Sequence, residues 1–381
     1  MRPRSSVLAT MVADGVPTPE AIDRALADRD IPLMEGGRTT FVFRGEARRV
    51  SLHHWIWGLP SSQPFDRIAG TDLWFLEVEL PRASRIEYKL EVETDDGIEL
   101  IHDPLNPRIA RDPFGGNSVL QTDGYETPEW TLRDPESRPG TLDELEIESR
   151  AFGDRRRVSV YLPARFRRRR TYPLLVVHDG GDYLQYSSLK TVLDNLIHRL
   201  EIPSMIVALT HPVERLVEYP DNPEHALFLT DELVPELDAR FPLSADPARR
   251  GMMGASFGAV AALAAAWRAP GAWGRLLLQS GSFAFTDVGE HTRAPVFDPV
   301  VEFVNAFRAE PRRVADRVFV SCGVYESLIY ENRSLVPLLQ STGMSVRYVE
   351  SRDGHNWEAW RDRLREGLSF LFPGPLLLVY E

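Results

Sequence analysis

Apolar positions recur with two different periods along this chain, and the change of period sets the expected domain boundary. Thr18-Pro19-Glu20 to about Asp28 carries an N-cap, a proline at the first helical position and apolar residues at helical spacing, which predicts a short amphipathic helix. From Arg38 to about Thr122 the period falls to two. Thr39–Phe43, Arg49–Trp57, Leu73–Leu80, Arg85–Val92 and Ile98–His102 are expected to be strands, and Asp95-Asp96-Gly97 between the last two signals a hairpin. Short strands with no helix between them predict an immunoglobulin-like β-sandwich. Asp103-Pro-Leu-Asn-Pro107 and Asp112-Pro-Phe-Gly-Gly-Asn117 close it, and Tyr125 to Gly140, with Pro128, Pro135 and Pro139, reads as a linker.

After about Thr141 strand-like runs alternate with helical ones. Glu146–Ser149, Arg157–Leu162, Tyr172–His178, Met205–Leu209, Gly274–Gln279, Arg317–Ser321 and Val346–Glu350 are the strands. Leu189–Leu200, Leu227–Phe241, Val260–Trp267, Val300–Ala306, Ser334–Ser341 and Glu358–Leu371 are the helices. The later strands are continuous apolar runs, as expected of a mostly parallel sheet covered by helices on both faces. Two domains follow, 1–140 and 141–381, the second of α/β-hydrolase type.

Gly254-Ala-Ser-Phe-Gly258 lies between the short strand end Arg249–Met253 and an alanine-rich run to Trp267. A G-x-S-x-G pentapeptide between strand and helix is the setting of a nucleophile elbow, with a plain strand–turn–helix connection as the alternative. A turn that tight excludes side chains at Gly254 and Gly258. It also holds the Ser256 hydroxyl at a helix N-terminus, where negative charge is favoured.

A nucleophilic serine needs a base. His355, in Arg352-Asp-Gly-His-Asn-Trp357, falls between the last strand and the last helix, as the chain order serine–acid–histidine requires. His178 precedes the nucleophile, and His53, His54, His198 and His225 fall on ordinary strand or helix faces. Glu326, following Arg317–Ser321 and Cys322-Gly323, is the expected acid, with Glu331 and Asp353 as competitors and Asp316 at the wrong end of its strand. The oxyanion hole is expected from the N–H of Phe257 and a donor in His178-Asp-Gly-Gly-Asp182, Gly181 first and Gly180 next. A metal site at His178, Asp179 and Asp182 lacks a second histidine at ligand spacing, so neither metal nor organic cofactor is expected.

Composition narrows the partners. The 381 residues are 43% apolar and 26% charged, ordinary for a chain that buries a real core. A net charge of −12 argues against nucleic acid or an anionic membrane as partner, and Arg165-Phe-Arg-Arg-Arg-Arg170 reads as a solvated loop. Cys322 is the only cysteine, so no internal disulfide forms. Arg2 and Arg4 precede an apolar stretch broken by Asp14, which does not make a leader, and no apolar run reaches the ~20 residues that span a bilayer. A soluble cytoplasmic protein acting on a small molecule is expected, with homo-oligomerisation left open.

With these residues in place, the chain resembles the enterochelin esterases from about Arg38 to Leu371. Arg67-Ile-Ala-Gly-Thr-Asp-Leu-Trp74 and Asp103–Pro107 resemble that family's N-terminal early-set β-sandwich. Asp179-Gly180, Arg215 with Glu218-Tyr-Pro220, Gly254–Gly258, Gln279-Ser-Gly-Ser282, Glu326 with Asn332, and Gly354-His355 with Trp360-Arg361 follow its catalytic half. The resemblance implies a cytoplasmic serine esterase acting on siderophore ester or lactone bonds, with Ser256 and His355 carried over and a carboxylate at Glu326. The catalytic half is shared with feruloyl and acetyl esterases, which act on aromatic or sugar esters; a non-catalytic glycan-binding protein is the reading from another class. The sequence departs from the family at Phe283-Ala-Phe-Thr286 and at Tyr325, where an arginine is usual. Substrate contacts are expected at Asp182, Arg215, Trp57, Tyr325 and Trp357. In Val50–Trp57, alternation puts Val50, Leu52, His54 and Ile56 on one face and Trp55 and Trp57 on the other, either packed or facing substrate.

Overall fold

Alternating residues in the first third of the chain build two antiparallel sheets. The computed structural model describes residues 5–13, 15–286 and 293–375; Arg2, Arg4 and Asp14, the residues weighed for a leader, lie outside the described residues. Met1–Glu126, with Val324–Glu326 and Ser351–Gly354, forms one unit, and the remainder forms a second.

In the first unit, Leu33–Glu35, Arg38–Arg44, Leu73–Glu79 and Asp66–Arg67 make a four-stranded sheet. Ser62–Pro64, Arg49–His54, Arg85–Thr94, Gly115–Gln121 and Ile109–Asp112 make the other, with Gly97–Ile101 also paired to Arg85–Thr94. Phe41, Phe43 and Trp74 of the first sheet share a core with Val50, Leu52, Ile86, Tyr88 and Leu90 of the second. The intervening Val42, with Leu73 and Phe75, faces the other way and is covered by Leu8 and Ile22 of two short helices, Ser6–Met11 and Pro19–Leu26. The expected hairpin forms, with Thr94 opposite Gly97.

Two expectations here fail for local reasons. The strand from Arg49 ends at His54 rather than Trp57, because His54 Nδ1 accepts the Ile56 N–H at 3.2 Å and turns the chain out of the ladder. The supposed closing loop contains the strand pair Ile109–Asp112 and Gly115–Gln121, hidden by the glycine, asparagine and serine content of the second strand. Asp103-Pro-Leu-Asn-Pro107 is a buried lock. Tyr88 Oη donates to Asp103 Oδ2 at 2.7 Å, and Asn106 Nδ2 donates to Tyr88 Oη and to the Val119 carbonyl at 3.0 and 2.9 Å. Burial pushes both the Asp103 carboxyl and the Tyr88 phenol up.

The second unit contains an eight-stranded sheet in the order Thr141–Ser149, Asp154–Leu162, Ile206–Thr210, Leu174–Val177, Arg250–Ala255, Arg275–Gln279, Arg317–Gly323, Ser345–Ser351. It is mixed: Asp154–Leu162 runs antiparallel to both its neighbours, and parallel pairing runs from Ile206–Thr210 through Arg317–Gly323. The two antiparallel strands alternate in sequence. Their outer face carries Glu144 paired with Arg157 and Glu148 with Arg155, a charged edge that discourages further strand pairing. The layout is that of an α/β hydrolase. Helices cover both faces, and Ala259 to Ala266 of the helix Phe257–Arg268 are buried throughout. The stretch expected as one helix from Leu227 is Pro223–Leu227, a π-helical turn Phe228–Leu233, then Val234–Arg240; Pro235, lacking an N–H, sits just after the widened turn. From Thr127 the supposed linker belongs to this unit, tied down by Asn195 Nδ2 donating to the Trp130 and Leu132 carbonyls. No helix among the described residues is long and apolar enough to cross a membrane.

The first unit depends on one buried cation. Arg85 is fully buried between Glu87, at 2.9 Å, and Asp353, at 3.3 Å. Removing it leaves carboxylates without compensation, so Arg85→Ala should cost about 3–5 kcal/mol in denaturant unfolding. A loss under about 1 kcal/mol would show that the cluster is well solvated.

Candidate active site

The strand Arg250–Ala255 passes into the helix Phe257–Arg268 through a single residue, Ser256, held at φ 57° and ψ −123°. Side chains other than glycine avoid this region, at a cost of about 1–3 kcal/mol. Hydrogen bonds fix it. The Ser256 N–H donates to the Gln279 carbonyl at 3.0 Å, and the Ser256 carbonyl accepts from Ala259 and Ser282 N–H groups, both at 3.2 Å. The glycines are required by close approach. A Cβ on Gly254 would stand 2.3 Å from the Gly258 carbonyl oxygen; one on Gly258 would stand 3.2 Å from His178 Cβ and 3.3 Å from Asp179 Oδ2. Phe257 occupies the first helical position, where its N–H has no acceptor within the helix.

Ser282 was missed by sequence reasoning. Its buried Oγ lies 3.1 Å from Ser256 Oγ. The signal was available: Gln279-Ser-Gly-Ser282 leaves the strand next to the elbow strand. Behind it, Ser280 Oγ accepts from Trp360 Nε1 at 2.9 Å.

The glycine turn is pinned to the elbow. Both the N–H and Nδ1 of His178 reach the Met253 carbonyl, at 2.9 and 3.0 Å. Asp179, in left-handed backbone at φ 53°, takes both forks of Arg215 at 2.9 Å each. Gly180 opens the helix Gly180–Tyr186, and a Cβ there would meet Leu209 Cβ at 2.3 Å; at Gly181 it would stand 3.1 Å from His211 Nδ1. Asp182, half-buried in the first turn of that helix, has its carboxyl pushed up by burial and then by Asp179.

His355 lies between the strand Ser345–Ser351 and the helix Trp357–Leu371, its ring edge-on to Trp360 at 5.0 Å. Glu326, in the turn after Arg317–Gly323, is 2% exposed. Its two competitors hold cations: Asp353 is bound by Arg85, and Glu331 by Arg293. Of the other expected contacts, Arg215 is committed to Asp179. Tyr325 turns its hydroxyl to Ser84 Oγ at 2.6 Å, and its carbonyl accepts the Trp57 N–H at 2.8 Å. Trp57 is 64% exposed. Trp357 is core: its ring packs edge-on against Tyr183 at 5.2 Å and Trp360 at 4.8 Å. Phe283 is buried, while Phe285 stacks on Tyr330. Among the described residues no three histidine, cysteine or carboxylate side chains are grouped to hold a metal ion.

The Esterase family model matches residues 149–371 of this chain, more than half of it. The chain belongs to the esterase family. It is a carboxylic ester hydrolase and groups with the enterochelin esterases. The iron(III) enterobactin esterase of Escherichia coli O6:H1 is 27% identical over 84% of this chain and 83% of its own length. The crystal structure of ferric enterobactin esterase from Salmonella typhimurium superposes with a TM-score of 0.75 at 25% identity, covering 92% of this chain and 98% of that one. The enterobactin esterase of Shigella flexneri, solved in the presence of 2,3-dihydroxy-N-benzoyl-glycine, gives 0.69 at 25% identity, with 88% and 92% covered.

In this esterase the turn beneath the elbow rests on two buried imidazoles. His178 Nδ1 faces a carbonyl and must donate, so its Nε2 accepts from His225 Nε2 across 3.0 Å. His225 Nδ1 then points at no partner among the described residues. Burial pushes both pKa values down, and His225 is pushed further by His178 and Arg156. Both rings therefore stay neutral when folded, while the unfolded chain takes up protons below about pH 6.5. This contribution to stability is complete above that pH and is lost progressively as pH falls below it, at a slope approaching about 1.4 kcal/mol per pH unit for each histidine. His225→Phe should remove one such unit of slope between about pH 6.5 and 5 in urea unfolding. An unchanged slope would mean that His225 titrates normally in the folded esterase.

Proposed function

We propose that this esterase uses Ser256 as nucleophile, His355 as general base and Glu326 as the acid that orients it, to hydrolyse ester or lactone bonds of an enterochelin-type siderophore. The strained backbone of Ser256 at a helix start is the observation that carries the mechanism. It holds the half-buried Ser256 at the N-cap of the helix Phe257–Arg268, where the free N–H groups of the first turn favour negative charge. In the reaction His355 takes the Ser256 proton as Oγ attacks the ester carbonyl, and the oxyanion accepts from the Phe257 and Gly181 N–H groups. The acyl-enzyme forms as the alcohol leaves with a proton from His355, and water then releases the acid by the reverse sequence. Glu326 is favoured as third member because it lies buried in the turn after the strand Arg317–Gly323, where the order serine–acid–histidine places the acid. The rival carboxylates Asp353 and Glu331 instead hold Arg85 and Arg293. The chemistry needs no metal or organic cofactor.

The substrate class rests on coverage. The family model spans only the catalytic half, whereas the enterobactin esterase relative aligns over 84% of this chain, and so includes much of the first unit. We take that unit as an early-set, immunoglobulin-like module, its exposed Trp57 as a wall for an aromatic substrate, and the cytoplasm as the place of work.

Ser256→Ala and His355→Ala should each lower kcat by roughly 10⁴–10⁶ with the fold intact, and Glu326→Gln by about 10²–10⁴. Substantial activity in Ser256→Ala would sink the mechanism. A larger loss in Asp353→Asn or Glu331→Gln than in Glu326→Gln would move the acid. Ranked by kcat/KM, a cyclic catecholate trilactone should exceed feruloyl and acetyl esters, and Trp57→Ala should raise KM for the catecholate ester while sparing p-nitrophenyl acetate. A feruloyl ester at the head of the ranking would replace the siderophore assignment.

A further inference from the structure

Ester hydrolysis leaves one strongly charged region of the second unit unused. Ser256 and Gly181 lie just beyond the C-terminal ends of parallel strands, after Ala255 and Val177. At the opposite edge, where Leu174–Val177 and Ile206–Thr210 begin, the preceding loops border a cleft of about 820 Å³. Arg138, Arg165, Arg167, Arg169 and Arg170 line it.

These arginines differ from others in the same unit. Arg155, Arg156, Arg157, Arg199 and Arg215 each hold a carboxylate. Among the described residues the five cleft guanidiniums hold none, and Arg170 instead lies over the Tyr172 ring at 5.7 Å. Two carboxylates also line the cleft. Asp194 is spent on the Gly140 N–H, the Tyr161 hydroxyl and Lys190. Glu136 alone remains against five cations. Such a positive concentration stands out in a chain whose net charge is −12. It continues past the cleft: Arg170 also borders a recess of about 330 Å³ with Arg249 and Arg275, and burial with Arg317 and Arg249 pushes Arg275 down to about 10.

A charged loop that serves only solubility has no need to be concave, and like charges gathered around one cleft repel each other until an anion enters. Guanidinium forks match phosphate and carboxylate oxygens, and a space of this size takes a ligand of nucleotide scale. We propose that this arginine-lined cleft, at the sheet edge opposite Ser256, binds a small anion carrying several phosphate or carboxylate groups.

Tripolyphosphate and citrate serve as probes in isothermal titration calorimetry. In about 50 mM salt the protein should bind at least one of them at a single site per chain, and about 200 mM salt should weaken that binding severalfold. Arg167→Gln/Arg169→Gln/Arg170→Gln should weaken it at least about tenfold. These side chains are exposed and remote from the elbow, so p-nitrophenyl acetate hydrolysis and the melting temperature should stay at wild-type values. Tight binding of tripolyphosphate alone points to a phosphate ligand, and of citrate alone to a carboxylate one. No binding of either at about 1 mM, or equal affinity in the triple variant, overturns the proposal. So does capture of an RNA oligonucleotide that tripolyphosphate cannot displace.

Discussion

The catalytic half depends on one crossing of backbone, where Gly254 passes over the Gly258 carbonyl so closely that a Cβ would stand 2.3 Å from that oxygen. This contact forces the helix to begin one residue after the strand ends, and it leaves Ser256 no room for ordinary backbone angles. The strain is held by neighbours on both sides: the Gln279 carbonyl and Ser282 N–H from one strand end, and the His178-Asp179 turn against Gly258 from the other. The buried alanines follow from the same constraint, because the helix leaves the sheet at close range and larger side chains would push it away.

Polar groups beneath this elbow are arranged to be neutral or fully paired. The imidazole pair carries no charge into the core, the Asp179–Arg215 fork is bidentate, and Gln279 is held by Tyr183 and the Trp360 carbonyl. The first unit follows the other course and buries a cation with its counterions, Arg85 with Glu87 and Asp353, beside the Tyr88–Asp103–Asn106 lock. Interlocked bonds of this kind resist displacement of any one member, which suits loops whose backbone must hold a fixed shape.

Much of this was legible in the chain, for identifiable reasons. Gly254–Gly258 carried its own context, and the elbow strand and helix fall within a few residues of their expected ends because alanine and glycine mark the change of geometry. His355 was readable from its place between the last strand and the last helix. The sheet is mostly parallel, as its continuous apolar strands imply; the antiparallel pairing at its first edge was left unspecified, although the alternating charges of Thr141–Leu162 signalled it. Gly115–Gln121 was lost to its glycine and asparagine content, and the end of the strand at His54 depends on a side-chain bond that no periodicity reveals. Ser282 was signalled only by its place after the strand next to the elbow strand, and His225 was beyond pattern reading, since its role comes from His178, 47 residues away.

If Ser256 is the strained, activated hydroxyl described, one class of reagent should find it among all the serines of the chain. Incubation with a fluorophosphonate, followed by intact-mass measurement and peptide mapping, should show a single adduct on the peptide carrying Ser256, with ester hydrolysis lost in proportion. An adduct on Ser282 instead, or full labelling of Ser256 with activity retained, would contradict the account.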